Sequence, residues 1–209
     1  GKEEKIKVPL VCPMCGGEIE KVGREVAYRC LNKRCYAVNL RRISHFVSRG
    51  AANMEGLGPK IIEQFLTNGL IKDIADLFAL KKSDLLSLER FAEKKADNII
   101  NTINEKRTLD LSRFIFGLGI RHIGEESARV LSDLLKEKGL AGKEVSISQF
   151  KETVLEISLE ELLDINDFGP VVAQSIYDYF RLKDNLLLLL KLEKNGVKLI
   201  TPTISSVKE

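Results

Sequence analysis

The stretch from Ile43 to Leu66, ISHFVSRGAANMEGLGPKIIEQFL, limits what this chain can fold into more than any other. An apolar helical period ends, Gly56-Leu57-Gly58 turns the backbone, and Pro59 opens a second helix. Glycine reaches backbone angles closed to other residues and puts no side chain between the peptide and an approaching ligand. Proline at the first helical position lacks an N–H that the helix does not use there. The N–H groups that remain at a helix N-terminus point outward and favour a bound anion. Such a helix-hairpin-helix turn can hold a DNA phosphate through backbone groups without reading bases. A glycine-apolar-glycine turn also serves as a plain connector between helices, so a single copy leaves both readings open.

The pattern recurs. Taking Gly58 as anchor, Ile62 and Phe65 follow four and seven residues later, and the frame refits at Gly124 with Ala128 and Leu131. It refits again at Gly169 with Ala173 and Ile176, and in a degenerate copy at Ala92 with Ala96 and Ile99. The anchors are 34, 32 and 45 residues apart, the mark of a repeated supersecondary unit. The leading glycine survives only at Gly56; Arg90, His122 and Asp167 occupy its place elsewhere, and Asp167 would repel a phosphate.

Four cysteines fall in one short segment, Cys12 and Cys15 separated by two residues, Cys30 and Cys35 by four. Pairs at this spacing predict a tetrahedral four-thiolate zinc site, with Gly16 and Gly17 suited to a tight knuckle whose N–H groups stabilise thiolate. A redox pair at Cys12–Cys15 is the competing reading, but no βαβ pattern surrounds it. Val26, Tyr28 and Cys30 alternate as a strand does, with a turn near Gly23, which predicts a β hairpin beside the knuckle. Four protein ligands leave no open position for water, so the metal would be structural, and a segment this small needs it to fold.

Beyond Leu40 the period is helical almost throughout. The expected architecture is mainly α: a four-cysteine zinc finger with a β hairpin over residues 8–39, four helix-hairpin-helix repeats over 40–197, and a linker over 198–209. Helices are expected over Asp73–Leu80, Ser83–Leu88 with Ser83 as cap, Glu93–Lys106, Glu125–Lys138, Pro170–Arg181 and Leu186–Lys194. Residues 139–158 are the least regular and absorb the longer third offset. The chain reads as part of something longer, without a signal peptide and without a membrane-spanning apolar run.

With 33 basic against 30 acidic residues the net charge is only +3, so a nucleic-acid footprint must come from local clustering. Lys60, Arg90, Lys94, Lys95, Arg121 and Arg129 lie near the turns. Lys60 sits in the first turn of its helix, against the helix dipole, which makes sense with an anion beside it. Of the two histidines, His45 is expected as a satisfied core or cap residue and His122 lies in no catalytic motif. No phosphate loop or nucleophile elbow is present, and no catalytic residue is expected. The candidate DNA-contacting residues are Gly56, Gly58, Lys60, Arg121, Gly124 and Gly169, and the metal candidates Cys12, Cys15, Cys30 and Cys35.

Taken together, CPMCGGE at 12–18, CLNKRCYA at 30–37, SHFVSRGA at 44–51, GLGPKII at 56–62, LERFAEKKA at 88–96 and GLGIRHIGE at 117–125 resemble the C-terminal half of bacterial NAD-dependent DNA ligase. The resemblance covers residues 8 to 197 and carries the motifs in the family's order. It implies a four-cysteine zinc finger and a four-motif helix-hairpin-helix domain that clamp nicked duplex DNA across the minor groove. Cys12, Cys15, Cys30 and Cys35 match the family's zinc ligands, and Gly56, Gly58, Gly124 and Gly169 its hairpin glycines. Ala92 departs from the usual glycine, Tyr36 from the usual proline and Val38 from the usual glutamine. The nucleophilic Lys-x-Asp-Gly motif is absent. NAD and magnesium would therefore be handled by upstream domains, with a BRCT domain following the linker, in a cytoplasmic, nucleoid-associated protein. A stand-alone structure-specific DNA-binding module and a protein-interaction scaffold are the alternatives.

Overall fold

The computed structural model describes residues 8–21, 27–32, 35–89, 91–142 and 144–201. The chain separates into two compact units, Gly1–Arg41 and Arg42–Glu209, and the division falls inside the first helix.

In the first unit, β1 (Ile19–Lys21) pairs antiparallel with β2 (Tyr28–Cys30), Ile19 opposite Cys30. This is the expected hairpin; Val26 and Gly23, on which its alternation and turn were read, lie outside the described residues. Helix α1 (Tyr36–Val47) begins immediately after Cys35. Leu10, Val11, Met14 and Tyr28 are all exposed, so apolar burial does little for this unit.

The second unit is helical: α2 (Pro59–Thr67), α3 (Ile74–Leu77), α4 (Lys82–Leu86), α5 (Glu93–Glu105), α6 (Leu111–Gly117), α7 (Glu125–Leu135), α8 (Ile147–Glu156), α9 (Leu159–Leu163), α10 (Pro170–Arg181) and α11 (Lys183–Lys194). The pairs α4/α5, α6/α7 and α9/α10 pack against each other around Ala92, Gly124 and Gly169. The repeat frame is the core frame. Ile62 and Phe65, Ala96 and Ile99, Ala128 and Leu131, and Ala173 and Ile176 are each at most 2% exposed. Spacing four and seven residues past the anchor puts both members on one helix face, toward the core.

Three short strands interrupt the helices where none was expected. β3 (Thr108–Asp110), β4 (Glu144–Ser146) and β5 (Lys198–Ile200) form a sheet in the order β3-β5-β4, parallel on one side and antiparallel on the other. The expected linker is therefore wrong at its start: Lys198–Ile200 is the central strand, and Thr201 is buried with its hydroxyl donating to the Leu140 carbonyl. Residues 202–209 lie outside the described residues. The segment read as irregular also contains α8, opened by a capping box in which Ser146 accepts from the Gln149 N–H at 3.1 Å. Helix α4 starts at Lys82, not behind a Ser83 cap, because the Asp84 carboxylate accepts from the Lys81 N–H at 2.8 Å.

Phe114, Phe150 and Phe180 stack edge to face, with centroids 5.6 and 5.5 Å apart, tying α6, α8 and α10 together. Phe150 is the middle ring and fully buried. Phe150→Ala removes both ring contacts and opens a cavity, so it should cost about 3–5 kcal/mol of stability, read as a lowered denaturation midpoint by circular dichroism.

Candidate metal centre and helix N-termini

The four cysteines converge. Their sulfur atoms all lie within 4.8 Å of one another, with Cys12–Cys35 at 3.8 Å and Cys15–Cys30 at 3.5 Å. A disulfide needs about 2.05 Å, so these are thiols, whereas four sulfurs about 2.3 Å from a tetrahedral ion lie about 3.8 Å apart. The donor set therefore fits a closed metal site of the zinc type. The knuckle is built as its glycines require. Cys12 N–H donates to Gly17 O and Gly16 N–H to Cys12 O, both at 2.8 Å. A Cβ on Gly17 would meet Asn32 Cβ at 3.0 Å and Cys15 Sγ at 3.2 Å. The Gly17 N–H pulls the Cys15 thiol down to about 7, while loss of water around Cys30 pushes its thiol up to about 12.

Four helices of the second unit begin behind the repeat anchors, and all four begin the same way. Gly58 (φ −70°, ψ 169°), Ala92 (−80°, 159°), Gly124 (−90°, −177°) and Gly169 (−72°, 164°) are extended N-caps without a side-chain hydrogen bond. These angles suit any residue, as Ala92 demonstrates. Of the two glycines in the first turn, Gly56 stands at an angle closed to most other residues, φ +86°, and Gly58 does not. Nor does packing require glycine, because a Cβ at Gly58, Gly124 or Gly169 would meet nothing within 4 Å.

Most other helices of the unit close their N-termini. Asp73 accepts from Ala75 N–H (2.9 Å), Asp110 from Arg113 N–H (3.1 Å) and Ser158 from Glu161 N–H (3.1 Å), besides Ser146. Helix α11 also lacks a side-chain cap but carries Asp184 in its first turn. The hairpin helices differ in charge at the second position after the anchor. It is Lys60, Lys94, Glu126 and Val171 in turn, all exposed. Lys60 makes no ion pair among the described residues. Glu126 is held by Arg129, whose guanidinium keeps the carboxyl below its ordinary range and also reaches Asp133 at 3.5 Å. Helices α5 and α7 carry acids in their first turn; α2 and α10 carry none.

Arg121 is half-buried in the third turn, and His122 stands at φ +63° where the first turn has Gly56. Arg90 lies outside the described residues. His45 is satisfied as expected, its Nε2 2.8 Å from the Phe116 carbonyl and its ring edge-on to Phe116. Sequence reasoning missed Arg113 on α6, whose Nε donates to Ala51 O at 2.8 Å and whose Nη2 donates to Arg49 O. It lines a cavity of about 630 Å³ with Arg49, Phe116, Glu125 and Arg129. A lone arginine on a helix face carries no local signal for a loop sixty residues away. Among the described residues no helix is long and apolar enough to cross a membrane.

Residues 49–105 match a family described as SAM-like Helix-hairpin-helix tandem, a span that takes in the anchors Gly58 and Ala92. The chain is also similar to the DNA ligase of Geobacter sulfurreducens, 41% identical over 198 residues, which are 95% of this chain and 28% of that protein. The DNA ligase of Halothermothrix orenii is 42% identical over 200 residues, 95% of this chain and 28% of the relative. That of Geobacter metallireducens is 39% identical over 208 residues, all of this chain and 29% of the relative. The chain thus spans less than a third of the length of these curated relatives.

Metal uptake gives a sign-defined pH test. Thiols must lose their protons to ligate, and Cys30, held up at about 12, enters protonated at neutral pH. Affinity for added zinc or cobalt should therefore fall as pH falls, with protons released on binding and thiolate-to-cobalt absorption growing with pH. Cys35→Ser should lower that affinity sharply, since it removes a fully buried ligand.

Proposed function

We propose that this chain, homologous along 95–100% of its length to a segment of proteins named DNA ligase, is the DNA-holding part of a nick-sealing, NAD-dependent ligase. The observation that carries the reading is the set of bare N-caps at Gly58, Gly124 and Gly169, where neither angle nor packing calls for glycine. A side chain absent for no internal reason leaves room for an external group. At a helix N-terminus that group is anionic, because the first N–H groups are unpaired and the macrodipole adds positive potential. DNA phosphate fits, since backbone donors position a duplex without reading bases. Lys60 and Lys94 add charge at the first two turns, with Arg121 and the Gly56 turn shaping the approach. The footprint follows the backbone of nicked duplex across the minor groove.

In this reading zinc, held by Cys12, Cys15, Cys30 and Cys35, is structural and supplies folding energy to a unit with little apolar burial. Enzyme adenylation by NAD, adenylate transfer to the 5′-phosphate and attack by the 3′-hydroxyl belong to other domains of the same ligase, with magnesium. Purified chain incubated with NAD and magnesium should form no adenylated species by mass spectrometry. The setting is the bacterial cytoplasm, in replication and repair.

Serine at the bare caps separates stability from binding. Serine is a better N-cap than glycine by a few tenths of a kcal/mol, and the extended angles at these positions accept it. Gly58→Ser, Gly124→Ser and Gly169→Ser should therefore raise the thermal midpoint slightly. The same hydroxyl occupies the first N–H groups and the space above them, so duplex affinity by anisotropy should fall about tenfold for loss of one charge-assisted bond. Wild-type affinity should fall steeply with salt. Unchanged affinity in the serine variants would sink the hairpin reading. Absence of salt-sensitive binding by the wild type would favour a scaffold whose hairpins only pack on one another.

A further inference from the structure

The four hairpins form two pairs in chain order, α1–α5 and α6–α10, and the C-terminal segment α11–β5 makes bonds with both. Toward the first pair, the Lys191 ammonium bridges Asp73 and Asp76, each at 2.7 Å, and Asn195 Nδ2 donates to Ala75 O at 2.7 Å. Toward the second, Glu193 accepts from the Ser148 N–H at 3.0 Å, capping α8, and β5 is zipped between β3 and β4. Arg107, between the pairs, donates to Phe78 O at 2.7 Å and to Asn195 O, while its own carbonyl accepts from Lys198 N–H at 2.8 Å. The other link between the pairs runs from α1 and the loop after it to α6: a Cβ on Gly117 would meet the Phe46 ring at 3.1 Å, His45 Nε2 lies 2.8 Å from Phe116 O, and Arg113 donates to Ala51 O at 2.8 Å and to Arg49 O.

One link, however well bonded, leaves two bodies able to pivot about it, whereas a second link at another place, made of charged, directional bonds, selects one angle. None of Lys191, Asn195 or Asp73 belongs to a hairpin turn. Nothing in the helix-hairpin-helix pattern calls for a clasp of this kind.

We propose that α11–β5 is a clasp that fixes the angle between the two hairpin pairs, so that both meet one duplex at once, with Lys191 and Asn195 as positioning residues. This rests on the DNA-holding reading. Two pairs held in register bind as a bivalent unit, with the second engagement intramolecular. Without the clasp each pair still binds, but the second engagement loses its preset geometry.

The test uses two variants that break the same contact with opposite charge changes. Asp73→Asn with Asp76→Asn removes two negative charges and keeps the α3 cap, since asparagine caps as well as aspartate. Lys191→Met removes a positive charge. Duplexes of about one and about two helical turns, about 10 and 20 base pairs, are titrated by anisotropy across a salt series. Both variants should bind the two-turn duplex about tenfold more weakly than wild type, with a shallower dependence of affinity on salt, as fewer phosphates are engaged. On the one-turn duplex the asparagine pair should bind as tightly as wild type or more tightly. Should either variant prove unfolded by circular dichroism, the other decides by the ratio of its two-turn to one-turn affinity, which falls on loss of the clasp and holds at the wild-type value if only charge matters. Two-turn affinity that merely follows net charge, up for the asparagine pair and down for Lys191→Met, overturns the clasp and leaves the DNA-holding reading intact. A wild type that binds neither duplex overturns both.

Discussion

The first few N–H groups of every helix need a partner, and this chain meets that requirement in two ways. Helices α3, α6, α8 and α9 take Asp or Ser caps and close themselves. Those behind Gly58, Ala92, Gly124 and Gly169 take none. The closed helices are held by local bonds. The open ones depend on their buried faces, which explains why the residues four and seven past each anchor are among the most completely buried of the unit. Packing supplies the stability that capping does not, and the helix end is left available.

The first unit solves a different problem. Its strands are three residues long and its apolar side chains face water, so its fold rests on the cysteines. The buried members, Cys12 and Cys35, come one from each cysteine pair; a metal ion held there would join what the hydrophobic effect cannot. Gly17 shows how little room there is, for a methyl group there would press on both a thiolate and Asn32.

What could be read in advance was local. The spacing within each cysteine pair, each copy of the repeat frame and the buried stripes lie within about two turns of a residue, and the sequence displays them. The β3-β5-β4 sheet was illegible because each strand has one buried residue, Leu109, Val145 or Leu199, which is too short a run for a period-two pattern. Its pairing joins Thr108 to Lys198, across ninety positions, and only tertiary packing specifies it. The linker reading of 198–209 concealed the strand at Lys198–Ile200. The α4 cap misled for a related reason: Ser83 looks like an N-cap, but Asp84 reaches back to Lys81 and takes that task first. Within the site, both uses of glycine were legible but not which residue has which: Gly56 supplies a positive φ, whereas the ordinary φ and empty surroundings of Gly58 say that the space itself is what glycine provides there.

That distinction bears on how a nearly neutral chain could hold the polyanion proposed for it. With a net charge of +3, long-range attraction is weak, and the basic side chains are partly spoken for, as Arg129 is by Glu126 and Asp133. Oriented backbone dipoles act over a few ångströms and require close approach, and at α2 and α10 no first-turn acid competes for them. A chain that relies on them must keep side chains out of the way at the turns and must hold the turns at fixed positions. Bare glycine caps answer the first need. The second calls for rigid links between hairpins, and it is there that the directional bonds of Arg107, Lys191 and Asn195 are concentrated.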